Sequence, residues 1–152
     1  MGTAPEKDEL VDIVVRMPRK QVENTLLAAA SSATNVDERR LRDAKALLTG
    51  RRRRAACFDG VRFYDPSWDM ILELYVAMRE RRQLMVSQLC SLSGGSTTTA
   101  LRHIEHLEAL GYIRRNWDTT DRRRANVTMR TRLIEAAEHW LDVQAAASRL
   151  GG

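Results

Sequence analysis

Between Gly94-Gly95 and Gly111 lies a segment whose two ends are both fixed by side-chain chemistry. Ser96 can cap a helix by accepting from the free N–H groups of its first turn, and Gly111 can close that helix in left-handed backbone. Between them Ala100, Leu101, Ile104, Leu107 and Leu110 recur at spacings of three and four, the stripe of a helix with one buried face. Whatever this chain folds into must therefore hold a sharply bounded helix and cover one side of it.

The neighbouring segments supply the cover. Asp65-Pro66 predicts a helix start, with the cap at Asp65 and proline in the first turn, running to about Arg82. Its expected apolar face is Trp68, Ile71, Leu72, Tyr75 and Met78. Leu84–Val86 reads as a short extended piece, and Ser87 as the cap of a brief helix with Leu89, Cys90 and Leu92. After Gly111, Tyr112–Trp117 and Arg124–Met129 read as two strands around the turn Asp118-Thr119-Thr120-Asp121. In the second strand Ala125, Val127 and Met129 share one face. Thr131 to about Ser148 reads as a closing helix with Ile134, Ala137, Leu141 and Ala145 inward.

The N-terminal part is less regular. Leu10–Met17 alternates like a strand, Pro18 ends it, and Arg19–Ser31 follows as a helix. Ser31–Asn35 has loop composition, and Asp37 reads as the cap of a second helix that carries Leu41, Ala44 and Leu48, is weakened at Gly50, and has a basic run able to extend it into Ala55 and Phe58. A strand, a proline and two helices also suit a ribbon-helix-helix unit, but residues 1–38 are acidic overall, and an exchanged element at a dimer interface is the simpler role. The expected division is an arm over 1–60, a central domain over 61–130 and a terminal helix over 131–152.

Helix, short helix, glycine turn, longer helix and hairpin, in that order, make a winged helix-turn-helix: mainly α, with a small β wing. The exposed stripe of the longer helix holds Thr99, Arg102, His103 and His106, with Thr97 and Thr98 near its start. Threonine and arginine there suit base edges in a major groove. The helix N-terminus around Ser96 suits a phosphate, as do Arg114 and Arg115 just beyond its end. Arg122, Arg123 and Arg124 sit at the hairpin tip, where arginine can enter a narrow minor groove. Charge agrees with this. Residues 1–38 carry a net charge of −3 and residues 39–152 one of +8, so a basic body bears an acidic arm and suits a polyanion.

The stretch Thr98–Arg115 resembles the recognition helix and first wing strand of MarR-type (multiple antibiotic resistance regulator) transcription factors. Asp118-Thr119-Thr120-Asp121-Arg122-Arg123 resembles that family's wing signature. Phe63–Met70 is similar to an alphaproteobacterial MarR-like subgroup with an N-terminal arm. The resemblance covers roughly residues 65–141. It implies a homodimer on double-stranded operator DNA, usually a repressor, with Arg123 in the minor groove and Asp121 buttressing an arginine. Thr120 departs from the pattern, standing where the family often has arginine. A small-molecule effector stays unspecified.

Other chemistries find little purchase. No paired carboxylates, nucleophile–base set or phosphate loop is visible, so no enzyme is expected. His103 and His106 lack ligand partners at metal spacing, and neither metal nor cofactor is expected. Arg51–Arg54 reads as a solvated helix end, with phosphate contact as its alternative. Cys57, just after those arginines, is either an apolar filler or a reactive thiol. Trp68, Tyr75 and Trp140 read as core or interface. With two cysteines, no apolar span and no leader at residues 1–9, a cytoplasmic, nucleoid-associated protein without membrane attachment is expected. A protein-interaction winged helix and a non-specific nucleoid-type binder are the alternative functions.

Overall fold

The computed structural model describes residues 13–151, and the chain divides into two compact units, Met1–Asn35 and Val36–Gly152. In chain order the elements are α1 (Arg19–Cys57), α2 (Pro66–Arg79), β1 (Leu84–Met85), α3 (Val86–Leu92), α4 (Thr97–Ala109), β2 (Ile113–Trp117), β3 (Ala125–Met129) and α5 (Thr131–Leu150).

In the first unit the expected strand is not seen. Residues 10–12 lie outside the described residues, and Ile13–Pro18 has no regular structure, its apolar side chains exposed. The expected loop at Ser31–Asn35 is also corrected, because α1 runs unbroken over 39 residues. That stretch has the composition of a loop but neither glycine nor proline to enforce one. Thr25 and Thr34 return their hydroxyls to the carbonyls of Gln21 and Ala30, one turn back, so polar side chains are accommodated inside the helix. Asp37 consequently caps nothing and instead bonds Arg40 and Arg79.

The second unit is organised around α2. Met70, Leu74 and Ala77 lie on one side of it and pack with Leu84, Leu89, Ala100, Ile104, Leu107, Ile113, Val127 and Leu133. Leu72, Tyr75 and Val76 lie on the other and pack with Ala44, Leu48, Ala137 and Leu141. The single apolar face expected for this helix is thus only half of the answer: apolar residues all round mark a helix buried on both sides. Trp68 meets Trp140 edge to face with ring centroids 4.7 Å apart.

Other expectations shift by a turn or less. Met85, not Ser87, precedes the first turn of α3, and its N–H donates to Gln88 Oε1 at 2.9 Å. Leu92 and Leu110 are exposed, and Leu133 takes an inward position on α5. The sheet is antiparallel in the order β1-β3-β2, with Leu84 opposite Val127 and Arg115 opposite Val127 on the other edge. Its alternation puts Ala125 and Val127 inward as expected.

Polar links tie α1, α2 and α5 together within this unit. Asp142 accepts from both Arg39 and Arg40, with Arg40 Nη2 at 2.7 Å, and Glu138 joins them at 3.3 Å. Hydrogen bonds from Arg40, and then from Arg39, hold the Asp142 carboxyl down at about 2, against an ordinary value of 3.8. A carboxyl depressed in the folded state stabilises above its unfolded pKa, and that contribution is lost as pH falls toward the folded value. We expect thermal melts of Asp142→Asn to show a smaller loss of stability than the parent chain between about pH 4 and pH 2. An unchanged difference between the two proteins across that window would show that the pairing contributes nothing.

Candidate nucleic-acid interface

The helix start at Ser96 is made locally. Ser96 Oγ accepts from Thr99 N–H at 3.2 Å and lies 2.8 Å from Thr99 Oγ1. The turn before it requires glycine: Gly95 has φ +100°, and a Cβ there would lie 2.6 Å from the Tyr64 hydroxyl. At the far end Gly111 has φ +78°, the left-handed closure expected of a helix C-terminus.

With its Ala100–Ile104–Leu107 stripe buried, α4 turns the other flank to solvent. Thr97, Thr98, Arg102 and His106 are exposed, and none of their side chains is held by a partner among the described residues. Thr99 and His103 are half-buried and already engaged, Thr99 by Ser96 and His103 by Ser67, whose Oγ lies 2.8 Å from His103 Nδ1. The candidates thus divide into an open quartet and two residues that join the helix to its surroundings.

The wing is shaped by carboxylates. Asp118 Oδ1 accepts from Thr120 N–H at 2.8 Å and from Thr120 Oγ1 at 2.7 Å, while Asp121 Oδ1 accepts from Arg123 N–H at 3.0 Å. Asp121 therefore touches the backbone of an arginine, not its guanidinium. Thr120, where the resemblance leads one to expect arginine, uses its hydroxyl to build the turn. Arg122, Arg123 and Arg124 are all exposed and form no ion pair among the described residues. A small crevice of about 220 Å³ is lined by Thr97 and Leu101 on one side and Arg123 and Arg124 on the other, so wing and helix start share one face.

Arg114 is exposed on β2, whereas Arg115 has another use. Its guanidinium meets Glu108, with Nη2 to Oε1 at 3.0 Å, and its own N–H donates to the same carboxylate at 2.9 Å. This pairing holds the Glu108 carboxyl below the usual range and clips the end of α4 to the wing. Arg52, Arg53 and Arg54 are exposed, as a solvated helix end implies, although three side chains of the run Arg51–Arg54 also have partners. Arg51 pairs with Asp69, Arg52 with the buried Glu73 at 2.7 Å, and Arg54 lies 4.2 Å from the centroid of the Phe63 ring. Burial raises the Glu73 carboxyl, and the Arg52 charge works against that rise. Cys57 is exposed and Cys90 buried, where desolvation raises the thiol.

Sequence reasoning missed Ser67 and Glu108, and it placed Asp118 in the turn without its role as the acceptor there. That acceptor role was within reach, since an aspartate side chain commonly bonds the backbone two residues on. Ser67 and Glu108 carry no local mark of their distant partners.

Among solved structures the chain is similar to MepR of S. aureus in complex with DNA, with a TM-score of 0.51 at 13% identity, covering 84% of this chain and 88% of that one. The fold is the winged helix. A crystal structure of MarR is also similar, with a TM-score of 0.46 at 18% identity over 85% of this chain and 79% of that one. No family model and no curated protein matches the sequence. In winged-helix terms α3 and α4 are the helix-turn-helix, α4 is the helix presented to solvent, and β2–β3 is the wing. No helix among the described residues is long and apolar enough to cross a membrane. Among the same residues, no group of three His, Cys, Asp or Glu is placed to hold a metal ion.

Proposed function

We propose that this chain is a sequence-specific, DNA-binding transcriptional regulator of the MarR type, acting as a homodimer on a pseudo-palindromic site. The observation that carries the reading is the crevice in which Thr97 and Leu101 of α4 meet the unpaired Arg123 and Arg124 of the wing, with Thr98, Arg102 and His106 of the same helix exposed. Arginines without internal carboxylates lose no protein partner when they meet phosphate. Similarity to a winged helix solved on DNA supports the same reading.

In this reading α4 enters the major groove, with Arg102 reaching guanine and the threonines reaching base edges or phosphate. Arg123 enters the minor groove, and Arg122, Arg124 and Arg114 hold phosphates. Arg115 is left out, being committed to Glu108. Residues 61–130 form the DNA-reading part, while α1 and α5 supply the dimer contacts and set the two α4 helices about 34 Å apart, one turn of the duplex.

A footprint followed by a binding series on two variants tests this. Arg102→Ala should cost about 1–3 kcal/mol and relax preference at one base position. Arg123→Ala should weaken every site more evenly. Equal losses on all sequences from both variants would reject Arg102 as a base reader. Binding no tighter to the footprinted site than to random fragments would reject a sequence-specific regulator.

A further inference from the structure

Beside the α1–α5 packing lies an open cleft of about 880 Å³. Its floor is apolar, formed by Leu47, Trp68 and Leu141, and its rim carries Arg42, Arg54 and Arg149. Arg42 and Arg149 form no ion pair among the described residues, and Arg54 has only the Phe63 ring. The one carboxylate in the lining, Asp43, already meets Arg39 at 3.1 Å. An occupant that satisfies this cleft must be apolar along its length and negatively charged beside that strip.

The same chain contains such a segment. Glu6–Val15 holds Glu6, Asp8, Glu9 and Asp12 against the single Lys7, interleaved with Leu10, Val11, Ile13, Val14 and Val15. In its described part Ile13, Val14 and Val15 are 78%, 93% and 65% exposed. Three consecutive branched apolar residues left in water mark a surface that expects a partner. Acid on the segment and arginine on the cleft are complementary in sign, which favours their encounter and fixes its register.

We infer that Glu6–Val15 of one copy docks in the arginine-rimmed cleft of a second copy, so that two chains exchange arms. The inference rests on the homodimer reading above and names the interface. Exchange about a two-fold axis satisfies both clefts with both arms and leaves none over. It also accounts for the charge division of the chain, an acidic start before a basic body.

Charge reversal tests this. Sedimentation equilibrium of Asp8→Lys/Glu9→Lys/Asp12→Lys should show self-association weakened by at least about tenfold, as should Arg42→Glu/Arg149→Glu, whose substituted side chains lie on the surface. A chain carrying both sets should regain most of the lost affinity. In a Cys57→Ser background, Ile13→Cys with Gln144→Cys should oxidise to a covalent species of two chains on a non-reducing gel. Dimers of parental strength in both charge variants would overturn arm exchange and leave the homodimer standing. A cross-link confined to single chains would overturn it in favour of docking within one molecule. A parent chain that stays monomeric at every concentration would remove the homodimer itself.

Discussion

For the proposed DNA-binding dimer, raising salt from about 50 to about 200 mM should weaken binding to its site by about 10³–10⁵-fold, on the basis of roughly 6–10 phosphate contacts. The expectation comes from where the arginines are spent. Arg39, Arg40, Arg51, Arg52, Arg79 and Arg115 are bound to carboxylates of their own chain. Such side chains release no counterions on binding. Arg102, Arg114, Arg122, Arg123 and Arg124 are exposed and unpaired among the described residues, and two copies of this set, with the α4 helix starts, suffice for the estimate. Fluorescence anisotropy on a labelled site, plotted as log affinity against log salt, should give a steep line. Each phosphate contact removed by Arg122→Ala or Arg124→Ala should lower the slope by about 1. A nearly flat line would mean that this face does not meet a polyanion.

Ile104→Ala should cost about 2–5 kcal/mol of folding stability, the range for truncating a fully buried aliphatic side chain. Ile104 has no solvent exposure and packs in the cluster that also holds Met70, Leu89 and Ile113. Its removal leaves a cavity beneath α4, where helices from two sides have little room to collapse. Against a typical total of about 5–15 kcal/mol the loss is large. Denaturant unfolding followed by far-ultraviolet circular dichroism measures it. A cost below about 1 kcal/mol would mean that α4 is not seated on that cluster. The exposed His106→Ala should leave stability within about 0.5 kcal/mol, so the contrast between two residues of one helix reads its orientation directly.

Those two expectations depend on features of different legibility. The ends of α2 and α4 could be read from sequence because capping is local chemistry. Asp65 accepts from Trp68 N–H, and Ser96 from Thr99 N–H, within three residues of each cap. Sheet alternation was legible for the same reason. The course of α1 was not: Ser31–Asn35 favours turns by propensity, yet without a glycine or proline the helix on either side simply continues. Nor was the fate of individual charges. A guanidinium looks alike in sequence whether it faces phosphate or Glu108, and only folding brings Arg52 to Glu73 or Ser67 to His103. Composition thus marked the basic body correctly, but could not separate the arginines that build it from those left open.

The two-sided burial of α2 has a mechanical corollary. A rod gripped along both flanks cannot roll or slide without shearing two hydrophobic layers at once. The layer beneath the wing and the layer of long helices therefore share a spine, and loss of either would expose one flank of α2. Over residues 36–151 the chain should come apart in one cooperative step, and a displacement of α5 should reach the exposed flank of α4 as rigid motion.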